Sequence, residues 1–82
     1  MRVNILGMNK CEIATRYGCY LQSYKSIVAF ISNEGRITLY RDWDYSVTTA
    51  KHVGQWLGIS SKDLRKMIKE GRVLKLDEEP DL

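Results

Sequence analysis

The chain has 82 residues, 44% of them hydrophobic and 28% charged, with a formal net charge of +3. That is one small domain, near the lower end of what folds alone. The longest apolar run, Ile27–Ile31, is far too short to cross a bilayer, and the opening MRVNILGMNK lacks the apolar stretch and cleavage site expected of a secretory signal.

The modest net charge hides an asymmetry. Four of the ten acidic residues, Asp77, Glu78, Glu79 and Asp81, fall in the last six positions. Setting them aside leaves 13 basic and 6 acidic residues in 1–76, a net of +7. The chain therefore reads as one domain over 1–76 with an acidic tail over 77–82 that is expected to fray. A compact unit this basic favours polyanionic partners. Two cysteines, Cys11 and Cys19, and a single histidine are too few for a structural zinc site. No metal or other cofactor is expected, and both thiols are expected to be reduced and partly buried.

In chain order, Val3 and Ile5 alternate with Arg2 and Asn4, which predicts a strand over 2–6 ended by Gly7. Residues 8–18 fit either a further strand or a short helical turn. Cys19–Ser23 is strand-like, with Tyr20, Gln22 and Tyr24 on one face. Ile27–Ile31 is continuously apolar, as in a central strand buried on both sides. Asn33-Glu34-Gly35 supplies a hairpin turn, and Arg36–Tyr40 alternates as a half-exposed strand.

Arg41–Tyr45 (RDWDY) is a charged aromatic loop, after which the period changes. Ala50, Val53, Gly54 and Leu57 share one face of a helix from about Thr48, while Lys51, His52 and Gln55 point away. Ser46, Thr48 or Thr49 caps its start and Gly58 closes it. Ser60 with Asp63 opens a second helix, Leu64, Met67 and Ile68 form its buried stripe, and Gly71 ends it. Val73, Leu74 and Leu76 suit a last short strand.

Residues 50–73 carry the clearest functional signal. Gly54 lets two helices approach, Gly58 suits a left-handed turn, and Ile59, Leu64 and Met67 fill the angle between them. At these positions the chain resembles the helix-turn-helix family, in the excisionase and MerR-type version where a glycine and short wing follow (Gly71-Arg72-Val73). The resemblance implies a second helix that reads DNA. Ser61 and Lys62 would approach base edges, and Arg65, Lys66, Lys69 and Arg72 would approach phosphates. Known readers of this type begin with these helices, whereas here about 45 strand-forming residues precede them.

Two further segments, Ser23-Tyr24-Lys25-Ser26-Ile27-Val28-Ala29 and Tyr45-Ser46-Val47-Thr48-Thr49-Ala50-Lys51-His52, resemble a family of small uncharacterised bacteriophage proteins with an SY-x-S/T-x-I/V-A strand and a YS-x-TT-x-KH helix start. This implies a phage or prophage accessory protein in the cytoplasm of a bacterial host, without implying an activity. Trp43, between Asp42 and Asp44, reads as the most exposed aromatic and suits a protein contact better than a phosphate one. His52 could act as a general acid or base, but its face points to solvent and no second histidine or marked acidic pair accompanies it. No enzyme is expected.

The expected fold is α+β: an antiparallel meander of three or four strands, then two helices in a helix-turn-helix-like arrangement. The leading expected function is DNA binding through 61–70, with a homodimer supplying two half-sites. The alternative is a counter-defence protein that inhibits a bacterial host protein, such as a nuclease, through Tyr24, Trp43, Tyr45, Lys51 and His52. No membrane partner is expected.

Overall fold

A computed structural model describes residues 2–80. Five strands form an antiparallel meander: β1 (Arg2–Gly7), β2 (Lys10–Thr15), β3 (Gly18–Ser23), β4 (Ser26–Ser32) and β5 (Ile37–Leu39). Two helices follow, α1 (Val47–Leu57) and α2 (Ser61–Lys69). A last strand, β6 (Leu74–Lys75), returns beside β5 in parallel. The α+β reading holds, with six strands in the sheet rather than three or four. One addition is β2, within the ambiguous stretch 8–18. Asn9 makes that strand possible by taking φ 65° in the turn that reverses the chain, a conformation asparagine tolerates better than most residues.

Alternation along the strands divides the apolar residues between two faces. On the helix side, Leu21, Val28, Ala29, Leu39, Trp43, Val53, Leu64 and Val73 form one buried core. On the other side, Ile13, Ile27 and Tyr40 are buried with Cys11, Tyr20 and Phe30 against them, a cluster that draws nothing from either helix. The Tyr20 and Phe30 rings pack tilted against each other across adjacent strands, with centroids 4.5 Å apart. A bulge opposite Leu21 and Gln22 makes Val28 the extra residue of β4. Ile27 therefore serves the open face while Val28 and Ala29 both serve the helix side, which accounts for the unbroken apolar run at 27–29. Cys11 and Cys19 pair with residues on opposite faces of the sheet, and both thiols are free and half-buried.

The helices form where the sequence caps them. Ser46 Oγ accepts from the Thr49 N–H at 3.1 Å, and Ser60 Oγ from the Asp63 N–H at 3.2 Å, each satisfying an otherwise orphaned donor. Gly58 stops α1 at φ 72°. A Cβ on Gly54 would lie 2.8 Å from the Ile59 carbonyl oxygen, so only glycine admits the α1–α2 turn at this distance. Leu64 is fully buried between α2 and the sheet, worth about 1.5–3 kcal/mol for a side chain of this size. Trp56 Nε1 donates to Glu12 Oε1 at 2.9 Å, tying α1 to β2.

The chain beyond β6 makes two contacts back to the sheet. The Leu76 N–H donates to the Leu39 carbonyl at 2.9 Å, and Glu79 Oε1 accepts from the Ile27 N–H at 2.6 Å. The bulge leaves that amide in need of an acceptor, and the carboxylate supplies one. Asp81 and Leu82 lie outside the described residues.

Candidate functional site

Two surfaces hold the residues singled out from the sequence. The first is a cleft of about 700 Å³ between the β3–β4 turn and the start of α1, lined among others by Ser23, Tyr24, Ser26, Tyr45, Ser46 and Thr49. These come from both segments that resemble the phage family, which lie apart in sequence and meet here. Tyr24 sits at the turn with φ 58°. Its strained backbone is held on both sides: its N–H donates to the Asn9 carbonyl at 2.6 Å, and its own carbonyl accepts from Gln22 Nε2 at 3.0 Å. Such a costly conformation in a bulky residue persists only where its surroundings fix it.

Opposite, two successive turns lead into α1. The Trp43 N–H donates to the Tyr40 carbonyl and the Tyr45 N–H to the Asp42 carbonyl, each at 3.1 Å. This winding drives Trp43 inward and Tyr45 outward. Trp43 is 2% exposed and Tyr45 82%. The expectation that Trp43 is the exposed aromatic is thus overturned: flanking acids mark the chain as near water, but the turns rotate the indole into the core. Tyr45 takes the exposed place, facing Tyr24, which is 51% exposed, across the cleft.

His52 is also corrected. Its ring does not simply face solvent, because Nδ1 lies 2.9 Å from the buried Ser23 hydroxyl, a bond whose direction the imidazole tautomer sets. Burial, and secondarily the nearby charge of Lys10, lower its pKa from 6.5. Both effects favour the neutral ring, and its contact with Ser23 joins α1 to β3. Tyr24 approaches it with ring centroids 6.2 Å apart. Lys51 is exposed and lines a neighbouring hollow of about 530 Å³ with Ser61 and Arg65.

The second surface is the outer face of α2. Lys62, Arg65, Lys66 and Lys69 are exposed along one side, at the i, i+3, i+4 and i+7 spacing of a single helical stripe. Arg72 follows in the next turn, exposed and 3.6 Å from the Glu70 carboxylate. Arg65 is committed to the scaffold. Its guanidinium lies 5.3 Å from the centre of the Trp43 ring and 3.7 Å from Asp44. Among the described residues, no acidic group lies within ion-pair distance of Lys62, Lys66 or Lys69. Ser61 is half-buried at the start of the helix.

Residues 2–71 match the model of a family of unknown function, DUF8033. The chain belongs to that family. The matched stretch includes both faces of the cleft and all of α2, and stops before Arg72, β6 and the acidic segment. No curated protein and no solved structure matches the chain. Among the described residues, no helix is long and apolar enough to cross a membrane.

Proposed function

We propose that this member of DUF8033 is a non-enzymatic accessory protein of a phage or mobile element that binds duplex DNA in the cytoplasm of its bacterial host. The supporting observation is the stripe of Lys62, Lys66 and Lys69, exposed and without acidic partners among the described residues, on the second helix of a glycine-hinged pair. Arg72 extends it towards the phosphates, and Ser61 and Lys62 at the helix start lie nearest to base edges. Arg65, exposed in the same stripe, adds a further cation to it.

The test is fluorescence anisotropy of a labelled mixed-sequence duplex at low and physiological salt. Three to five phosphate contacts give a slope of about −2.7 to −4.5 for log affinity against log salt. Replacing Lys62, Lys66 and Lys69 together by alanine removes most of the binding. Absence of binding at low salt, or binding indifferent to salt, overturns the proposal.

A second reading rests on Tyr24 and Tyr45. Two exposed tyrosines on opposite lips of a cleft, with Lys51 and His52 behind them, suit capture of a bacterial protein, as a counter-defence inhibitor of a nuclease would require. Here replacement of Tyr24 and Tyr45 abolishes recovery of a partner from bacterial lysate, and the triple lysine variant does not. Unchanged recovery by the tyrosine variant removes this reading.

A further inference from the structure

The sheet ends differently on its two sides. β6 is two residues long and is followed within four positions by Asp77, Glu78 and Glu79. Short edges flanked by charge resist pairing with another chain. β1 is six residues long and, among the described residues, pairs only with β2. Its outer side therefore carries a row of backbone donors and acceptors with no strand to meet them. Over Arg2–Ile5, before the bulge at its far end, β1 has no proline and Arg2 is its one charged residue. Val3 is 56% exposed and Ile5 83%. Both stand on the open face, beside Ile13 and Cys11 of β2.

We propose that β1 is a homodimer seam, in which two copies pair β1 with β1 antiparallel about a two-fold axis at Asn4 and extend one sheet through both. The occupant follows from the self-complementarity of residues 2–6. Centring the pair on Asn4 sets Val3 against Ile5 of the second copy and Ile5 against its Val3, two β-branched pairs on one face. Arg2 falls opposite Leu6 rather than opposite another Arg2, so no like charges meet. Asn4 meets Asn4, and each amide both donates and accepts. The register slips between Ile5 and Gly7, against β2, so regular pairing stops where the self-complementary stretch stops. Centring on Val3 leaves half the strand unpaired, and centring on Ile5 runs into the bulge. The seam stands whether or not α2 meets DNA, and it responds to salt in the opposite sense. Each copy carries a net +3, so screening strengthens self-association while it weakens DNA binding.

Sedimentation velocity of the full chain across a concentration series tests this. The expected result is a monomer–dimer equilibrium that shifts towards dimer as salt rises. Asn4→Lys and Asn4→Asp each place like charges on the axis and weaken the dimer by roughly tenfold or more, since like charges directly opposite destabilise a strand pair. Mixing the two variants restores association, because the lysine then faces the aspartate. That recovery separates a lost seam from a lost fold. A chain that stays monomeric throughout, or a dimer unchanged by Asn4→Lys, overturns the proposal.

Discussion

Ser23 on β3 and His52 on α1 are 29 residues apart in the chain and 2.9 Å apart in the fold, where they join the sheet to the helix over one corner of the cleft. Because burial lowers the His52 pKa from 6.5, the folded protein favours the neutral ring more than the unfolded chain does. The unfolded chain therefore takes up the proton first as pH falls. The stabilisation is complete well above 6.5 and is lost as pH drops through that value towards the lowered folded pKa. Urea denaturation between pH 8 and pH 5 is expected to show this loss, and His52→Gln to flatten it. A slope unchanged by that substitution would mean that other groups carry it.

The two glycines at the helical turn are required for different reasons. Gly54→Ala gains helix propensity of up to about 1 kcal/mol but sets a methyl 2.8 Å from the Ile59 carbonyl oxygen. Overpacking of this kind costs about 1–3 kcal/mol, so a net loss is expected. Gly58→Ala meets open space at φ 72° and loses about 1–2 kcal/mol to backbone strain alone. Gly58→Asn should recover part of that loss, since asparagine tolerates this conformation. Gly54→Asn should recover nothing. Equal recovery at both positions in thermal unfolding would contradict the distinction.

Trp43 belongs to the core, so its removal should act on folding before it acts on any partner. Trp43→Ala is expected to cost about 3–5 kcal/mol, most of the stability available to a domain of this size. Trp43→Phe should cost less and should keep a ring beneath the Arg65 guanidinium. Circular dichroism during urea titration measures both. A fully stable Trp43→Ala protein would place the indole outside the core.

Glu79 closes the bulge in β4 from the far end of the chain. Glu79→Ala, or truncation after Leu76, removes the acceptor of the Ile27 N–H. The donor is part-buried, so an expected loss of about 0.5–1.5 kcal/mol follows from removing its partner. Hydrogen exchange at Ile27 should quicken with it. Exchange that stays slow after truncation would show another acceptor taking over.

Much of the sheet and both helices were legible because their signals are local. Ser46, Gly58, Ser60 and Gly71 act within a few residues of themselves, and the β5 alternation is equally local. β2 escaped because its reversal uses Asn9, which lacks the unambiguous turn signature of glycine, and because Glu12 points towards Trp56 rather than water. Trp43 and His52 were misplaced for a shared reason: each is positioned by contacts from elsewhere, Trp43 by the core it enters and His52 by Ser23. The basic stripe of α2 was visible from spacing. The engagement of Arg65 with Trp43 and Asp44 was not, since it depends on where the preceding turns end.

The parallel pairing of β6 with β5 bears on how freely this helical pair can be reused. Strand precedes it and strand follows it, and Val53, Leu64 and Val73 share one core with Leu21, Val28 and Leu39. The helices are therefore not a cassette that could be cut out and grafted onto another scaffold. Removed from the sheet, residues 46–73 would present half of a core to water. A change of volume at Leu64 must then be absorbed within β3, β4 and β5, whereas the outward lysines take no part in that packing.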